Sequence, residues 1–149
     1  MGIKEDIKQS KFENNKIMAM VNVYYTANWL RDKELPIYKK YGILSQHYNI
    51  LRILRGKYPE AASPGEIKEV MLDKGRDLTR LVDKLVNLGY VSRKLCSHNR
   101  RKMEIMINQA GLDVIDKVSV ESSVISKDFN LTENEAEQLS ALLDKFRII

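Results

Sequence analysis

A single cysteine, Cys96, leaves this chain without an internal disulfide framework and without a zinc site of several thiolates. The two histidines, His47 and His98, lie far apart in sequence and form no ligand cluster, so no metal or other cofactor is expected. No apolar run approaches the roughly 18 residues that a membrane span requires. The N-terminal stretch MGIKEDIKQSKFENNK is polar and lacks the apolar centre of a signal peptide, so a soluble cytoplasmic protein is expected. Also missing are GxSxG, HExxH, a glycine-rich phosphate loop and any Cys–His pair at catalytic spacing, so no enzyme is expected. No internal repeat or low-complexity tract is visible.

What is present is a foldable chain with a concentrated charge. Hydrophobic residues make up 44% and charged residues 30% of the 149 positions, which excludes disorder and suits one domain with a real core. The isoelectric point near 9.2 points to a polyanionic partner. Between Lys74 and Lys102 stand nine basic residues against Asp77 and Asp83, a local charge of +7. The whole chain carries +5, so the remainder is net −2 and the basicity belongs to this stretch.

The same stretch has a readable shape. Leu78, Leu81, Val82, Leu85 and Leu88 form the apolar stripe of an amphipathic helix, and Gly89 stands where a C-cap glycine belongs. Two short strands follow, with Val91, Leu95, Met103, Ile105 and Ile107 facing one way around a polar turn from Cys96 to Arg101. A helix followed by a basic-tipped hairpin is a winged helix-turn-helix: the helix fits a major groove, and the hairpin reaches flanking backbone or minor groove.

The surrounding elements are helical. Residues from about 11 to 33 contain neither Gly nor Pro. Ile17, Met20, Val21 and Tyr24 form one stripe, with Met18, Tyr25 and Trp29 in a second, and a helix with two apolar faces is covered on two sides, one of them by another subunit. Leu35-Pro36 is expected to end it. Leu44, His47, Tyr48, Leu51 and Leu54 mark a second helix, closed by Tyr58-Pro59. Ser63 as cap, Pro64 at the first position and Glu66 completing a capping box start a third, with Ile67, Val70 and Met71 as its buried face. Asn108 caps a long fifth helix. Thr132 with Glu135 forms a second capping box, with Leu131 and Ala136 as a staple, and Ala136, Leu139, Leu143 and Phe146 continue one face. The fold class is therefore mainly α with a small β-hairpin wing.

The order of elements, with Leu78-Thr79-Arg80-Leu81-Val82-Asp83-Lys84-Leu85, Leu88-Gly89-Tyr90-Val91 and Asn99-Arg100-Arg101, resembles the MarR family of transcription regulators over roughly Tyr41 to Val118. These segments resemble the family's recognition helix, its exit and its wing. The resemblance implies one domain over residues 1–149. Within it, residues 41–108 form the winged helix-turn-helix lobe, and residues 1–40 and 109–149 supply N- and C-terminal dimerisation helices. It also implies a homodimer bound to a palindromic operator in double-stranded DNA, acting as a repressor released by a small ligand. One departure stands out: the family wing usually carries aspartate before the paired arginines, and this chain has Asn99, which supplies no charge.

The expected DNA contacts are Arg76, Thr79 and Arg80 on the N-terminal half of the recognition helix, Lys74 and Lys84 on phosphates, and Arg100 and Arg101 at the wing tip. Asp83 is read as structural, steering a nearby arginine, and Asp77 as favouring the helix N-terminus. Tyr24, Trp29, His47 and Tyr48 are expected to line a cavity for a small aromatic effector. The plainer reading of such aromatics is core packing. Cys96 reads as an ordinary thiol and His98 as a solvated wing residue. The competing function is a winged helix used only for protein–protein contact, which has no need of these cations.

Overall fold

In the computed structural model, residues 2–99 and 101–148 are described. A short helix α1 (Ile3–Asp6) precedes α2 (Asn15–Lys39). Then come α3 (Ser45–Lys57), α4 (Pro64–Val70) and α5 (Leu78–Asn87). The hairpin β1 (Val91–Leu95) and β2 (Met103–Ile107) follows, and α6 (Gln109–Lys127) and α7 (Glu133–Phe146) close the chain.

Local chemistry sets most boundaries. Ser63 Oγ accepts from the Glu66 N–H, and the Glu66 carboxylate accepts from the Ser63 N–H at 2.8 Å, the reciprocal bonds of a capping box. Thr132 and Glu135 repeat the arrangement at α7. Asn108 accepts from the Gly111 N–H and donates to the Gly89 carbonyl, so one side chain starts α6 and ties it to the end of α5. That end is a Schellman turn. Gly89 has φ +77°, its N–H reaches Val86 O, and the Tyr90 N–H reaches Leu85 O, both at 3.0 Å. Gly111 lets α6 approach this exit closely, since a Cβ there would stand 2.3 Å from the Tyr90 carbonyl.

The core sits inside the lobe. Ile50, Leu51 and Leu54 of α3, Ile67 of α4, Val82 and Leu85 of α5, Ile105 and Ile107 of β2, and Ile115 and Val118 of α6 are its largest fully buried side chains. The strands pair antiparallel, Val91 opposite Ile107 and Leu95 opposite Met103. Ala62 bridges Ile105 through two hydrogen bonds of 2.8 and 2.9 Å, fastening the wing's base to the loop before α4. Polar contacts then join the lobe to α6: Arg55 to Asp116, Tyr48 Oη to Ser119 Oγ at 2.9 Å, and both Lys40 and Tyr41 to Glu121.

Three sequence expectations are corrected. Pro36 does not end the first long helix, which runs on to Lys39. Ile37 and Tyr38 are buried in the core, and that burial carries the chain through the hydrogen bond that proline removes. Val70 is exposed, because α4 ends there and Met71 takes the inward position beside Ile67. Leu95 is also exposed, since β1 leaves the body of the lobe after Val91 and none of the described residues buries its outer half. The helix α1, with Ile3 buried, has no counterpart among the sequence expectations, because its sequence is polar.

Candidate nucleic-acid interface

The site is built on α5. Leu78, Val82 and Leu85 bury one side of this helix, which forces Thr79, Arg80 and Lys84 to the outside. Asp77 is the N-cap: its Oδ1 accepts from the Arg80 N–H at 3.4 Å. Its second oxygen lies 3.6 Å from Arg80 Nε, and the Arg80 side chain is 88% exposed. Arg76 is not on the helix as expected. It stands one residue before the cap, in the turn after α4, where its Nε donates to Asp73 Oδ2 at 3.4 Å. The reason is that Asp77 takes the cap position, which moves the helix start past Arg76. Lys74 lies exposed in the same turn.

The wing is fixed at its root by an ion pair that crosses from helix to strand. Arg93 Nη1 meets Asp83 Oδ1 at 2.5 Å, the steering role expected of Asp83. Further out, Lys94 lies 3.9 Å from Glu104. At the tip, Asn99 Oδ1 accepts from the Arg101 N–H at 3.1 Å and the Asn99 carbonyl accepts from the Lys102 N–H at 2.9 Å, so Asn99 orders the turn without a charge. Arg101 and His98 are exposed and Cys96 is half-buried. Arg100, expected at this tip, lies outside the described residues.

His47 is buried and acts within α3. Its Nδ1 accepts from the Leu44 N–H at 2.9 Å, satisfying a donor at the helix start. It also lines a cavity of about 500 Å³ with Lys39, Arg80, Leu81 and Lys84. The four residues expected to frame an effector do not share one described cavity. Trp29 lines a separate space of about 260 Å³ and lies against Phe129. The Tyr48 ring lies tilted against Tyr38, and Tyr24 is 65% exposed.

Burial lowers the His47 pKa from its ordinary value, and the charge of Lys84 adds to the effect. Protonation would replace the Nδ1 acceptor by a donor facing the Leu44 N–H. A folded-state pKa depressed below the unfolded one means that the neutral ring's stabilisation is complete above about pH 6.5 and is lost as pH falls through the folded value. The urea midpoint is therefore expected to drop between about pH 7.5 and 5.5, and the drop should shrink in His47→Gln. An equal drop in that variant would place the titration elsewhere. Glu66 and Glu121, whose pKa values are lowered mainly by the Ser63 N–H and Lys40, titrate at more acid pH.

A helix with an exposed cationic start beside a cationic hairpin, on a three-helix lobe, is the architecture of a winged helix-turn-helix. No family model matches the chain. PecS, a helix-turn-helix transcriptional regulator of Dickeya dadantii, is 26% identical over 132 residues, covering 86% of this chain and 80% of PecS. A MarR transcription factor from Planctomyces limnophilus superposes with a TM-score of 0.67 at 26% identity over 90% of this chain and 98% of its own. A cysteine-to-serine MarR variant from Escherichia coli, solved with operator DNA, has a TM-score of 0.74 at 24% identity, covering 93% of this chain and all of the other. The RdhR organohalide-sensing regulator bound to 2,4-dichlorophenol has a TM-score of 0.82 at 15% identity over 93% of this chain and 85% of its own. The latter two likenesses speak for the fold. The chain thus has a winged helix-turn-helix fold and is similar along most of its length to MarR proteins, as its recognition helix, helix exit and wing suggest.

Two features of the site went unread in the sequence. Asp73 lies one residue outside the basic stretch, and Gln46 lies on another helix altogether. The repeat Asp73-Lys74-Gly75-Arg76-Asp77-Leu78-Thr79-Arg80, with an acid three residues before each arginine, was the available signal.

Proposed function

We propose that this protein is a sequence-specific DNA-binding transcription regulator, a homodimeric repressor of a palindromic operator that a small ligand releases. The observation that carries the reading is the outward row of Arg76, Thr79, Arg80 and Lys84 beside Arg101. Three residues of that row are cations mounted on or next to a helix whose opposite side is core. Arginine reads guanine through two parallel hydrogen bonds, threonine meets a thymine methyl or a phosphate, and Lys74 and Lys84 serve as phosphate contacts. Arg100 and Arg101 are assigned to the minor groove, where negative potential attracts arginine. The E. coli MarR variant solved with operator DNA supports this docking, and PecS supports the regulatory role. Among the described residues no helix is long and apolar enough to cross a membrane.

The domain division follows from the same reading: residues 41–108 form the DNA-binding lobe, and residues 1–40 and 109–149 supply the dimer interface. The effector is proposed as a small aromatic compound bound between α2 and the lobe, although within one protomer Tyr24, Trp29, His47 and Tyr48 line separate surroundings and do not frame a single site. RdhR holding 2,4-dichlorophenol is the supporting likeness.

Selection from random duplex DNA tests the proposal. The enriched sequence is expected to be a palindrome with half-sites about 10 bp apart centre to centre, one turn of B-DNA. The enriched duplex then screens phenols and aromatic carboxylates for release, with Trp29 fluorescence as reporter. Weak retention on heparin and no enriched sequence would instead favour a protein-interaction module.

A further inference from the structure

The carboxylate of Asp73 gathers three donors from three directions. Its Oδ1 accepts from the Gly75 N–H at 3.2 Å, and its Oδ2 accepts from Gln46 Nε2 on α3 at 3.3 Å and from Arg76 Nε at 3.4 Å. The neighbouring Leu72 N–H is held by Asn49 Oδ1, also on α3, at 2.9 Å. The turn between α4 and α5 is therefore pinned to α3 at two points, and Arg76 is attached to that pinned turn by one nitrogen only. The guanidinium is planar, with its donors in a fixed fork. Engaging Nε from the side leaves Nη1 and Nη2, and among the described residues neither has a protein partner.

We propose that Asp73 is a positioning residue for base recognition: anchored by Gln46, it holds Arg76 by Nε so that the two Nη groups form a preset fork for the O6 and N7 atoms of one guanine in each half-site. This rests on the DNA-binding reading above and extends it to a named base and a named pair of atoms. The pair is half-exposed on both sides, 58% for Arg76 and 47% for Asp73, and exposed ion pairs contribute little to folding stability. Orientation is what such a pair supplies, since a long flexible side chain held in one direction loses less freedom on meeting its base. Asp77 and Arg80 repeat the arrangement three residues apart, but Asp77 also caps α5, so Asp73 is the position where orientation separates from helix start.

The test uses the full-length protein and the duplex enriched by selection, with single base-pair changes and with 7-deazaguanine placed at each guanine in turn. 7-Deazaguanine removes only the N7 acceptor. Arg76→Ala is expected to lower discrimination at one guanine by about tenfold or more, and 7-deazaguanine there should weaken the wild type but not the variant. Asp73→Asn keeps an acceptor for the Gly75 N–H and removes the charge. It is expected to lose about three- to tenfold of the same discrimination at the same base pair, to change nothing in the Arg76→Ala background, and to be partly rescued by Asp73→Glu. If Arg76→Ala lowers the preference and Asp73→Asn does not, Arg76 reads unaided and the positioning role is wrong while the DNA reading stands. If Asp73→Asn tightens binding to all duplexes alike, Asp73 merely offsets charge. If Asp73→Asn is as damaging without Arg76, it acts through the turn. If Arg76→Ala alters no base preference, the whole assignment of Arg76 falls.

Discussion

Removal of the chain from Thr132 onward is expected to convert the proposed homodimer into monomers or aggregates, read by light scattering. None of the α7 residues is buried within the chain, and Leu139, Leu142 and Phe146 are 46, 63 and 48% exposed. An isolated helix of 14 residues is marginal in water, so its order depends on cover for this face. Across a cavity of about 530 Å³ it confronts Val23, Ala27 and Leu30 of α2, the helix whose sequence shows two apolar sides. Tyr25 and Trp29 are also partly exposed on α2, and Val120 and Val124 on the outer half of α6. A subtler variant, Leu142→Asp, should raise the dimer dissociation constant by about two orders of magnitude. Burial of one leucine stabilises by about 1.5–3 kcal/mol, and a carboxylate in its place must also be desolvated. A truncated chain that remains a soluble dimer would place the interface elsewhere.

On the DNA side, alanine at Arg80 is expected to cost about 1–3 kcal/mol on the selected duplex and to relax preference at one base pair. Lys84→Ala should behave differently, weakening every duplex alike and lowering the salt slope by about 0.9 for each phosphate that is no longer neutralised. Arg101→Ala should matter most where flanking A·T runs narrow the minor groove. Titrations on selected, single-changed and random duplexes at several salt concentrations separate the three behaviours. Should Arg76→Ala and Arg80→Ala both leave the selected-to-random ratio unchanged, α5 and its approach do not read bases, even if the protein still binds DNA.

Legibility in the sequence followed the range of the interactions. Ser63-Pro64-Gly65-Glu66, Asn108, Thr132 with Glu135, and Gly89 were all readable, because a cap or a left-handed turn is satisfied within four residues of itself. The stripe Leu78-Leu81-Val82-Leu85-Leu88 was readable for a similar reason: helical period alone decides which side is buried. Arg93 as the partner of Asp83 was not, since ten residues and a reversal of direction separate them.

The sequence by itself determined the main helices and the hairpin, the caps at Ser63, Asn108 and Thr132, the concentration of charge between Lys74 and Lys102, and the resemblance in the recognition helix and wing. Tertiary structure alone decided that α2 continues through Pro36, because the gain lies in burying Ile37 and Tyr38 against elements far along the chain. It also decided that Val70 and Leu95 face outward, because local period says which residues share a side and not which side meets a neighbour. Arg76 moved off the helix and onto Asp73 for a like reason. One carboxylate, Asp77, won the cap, while the other was fixed by Gln46 from a helix 27 residues earlier, a pairing that no local pattern encodes.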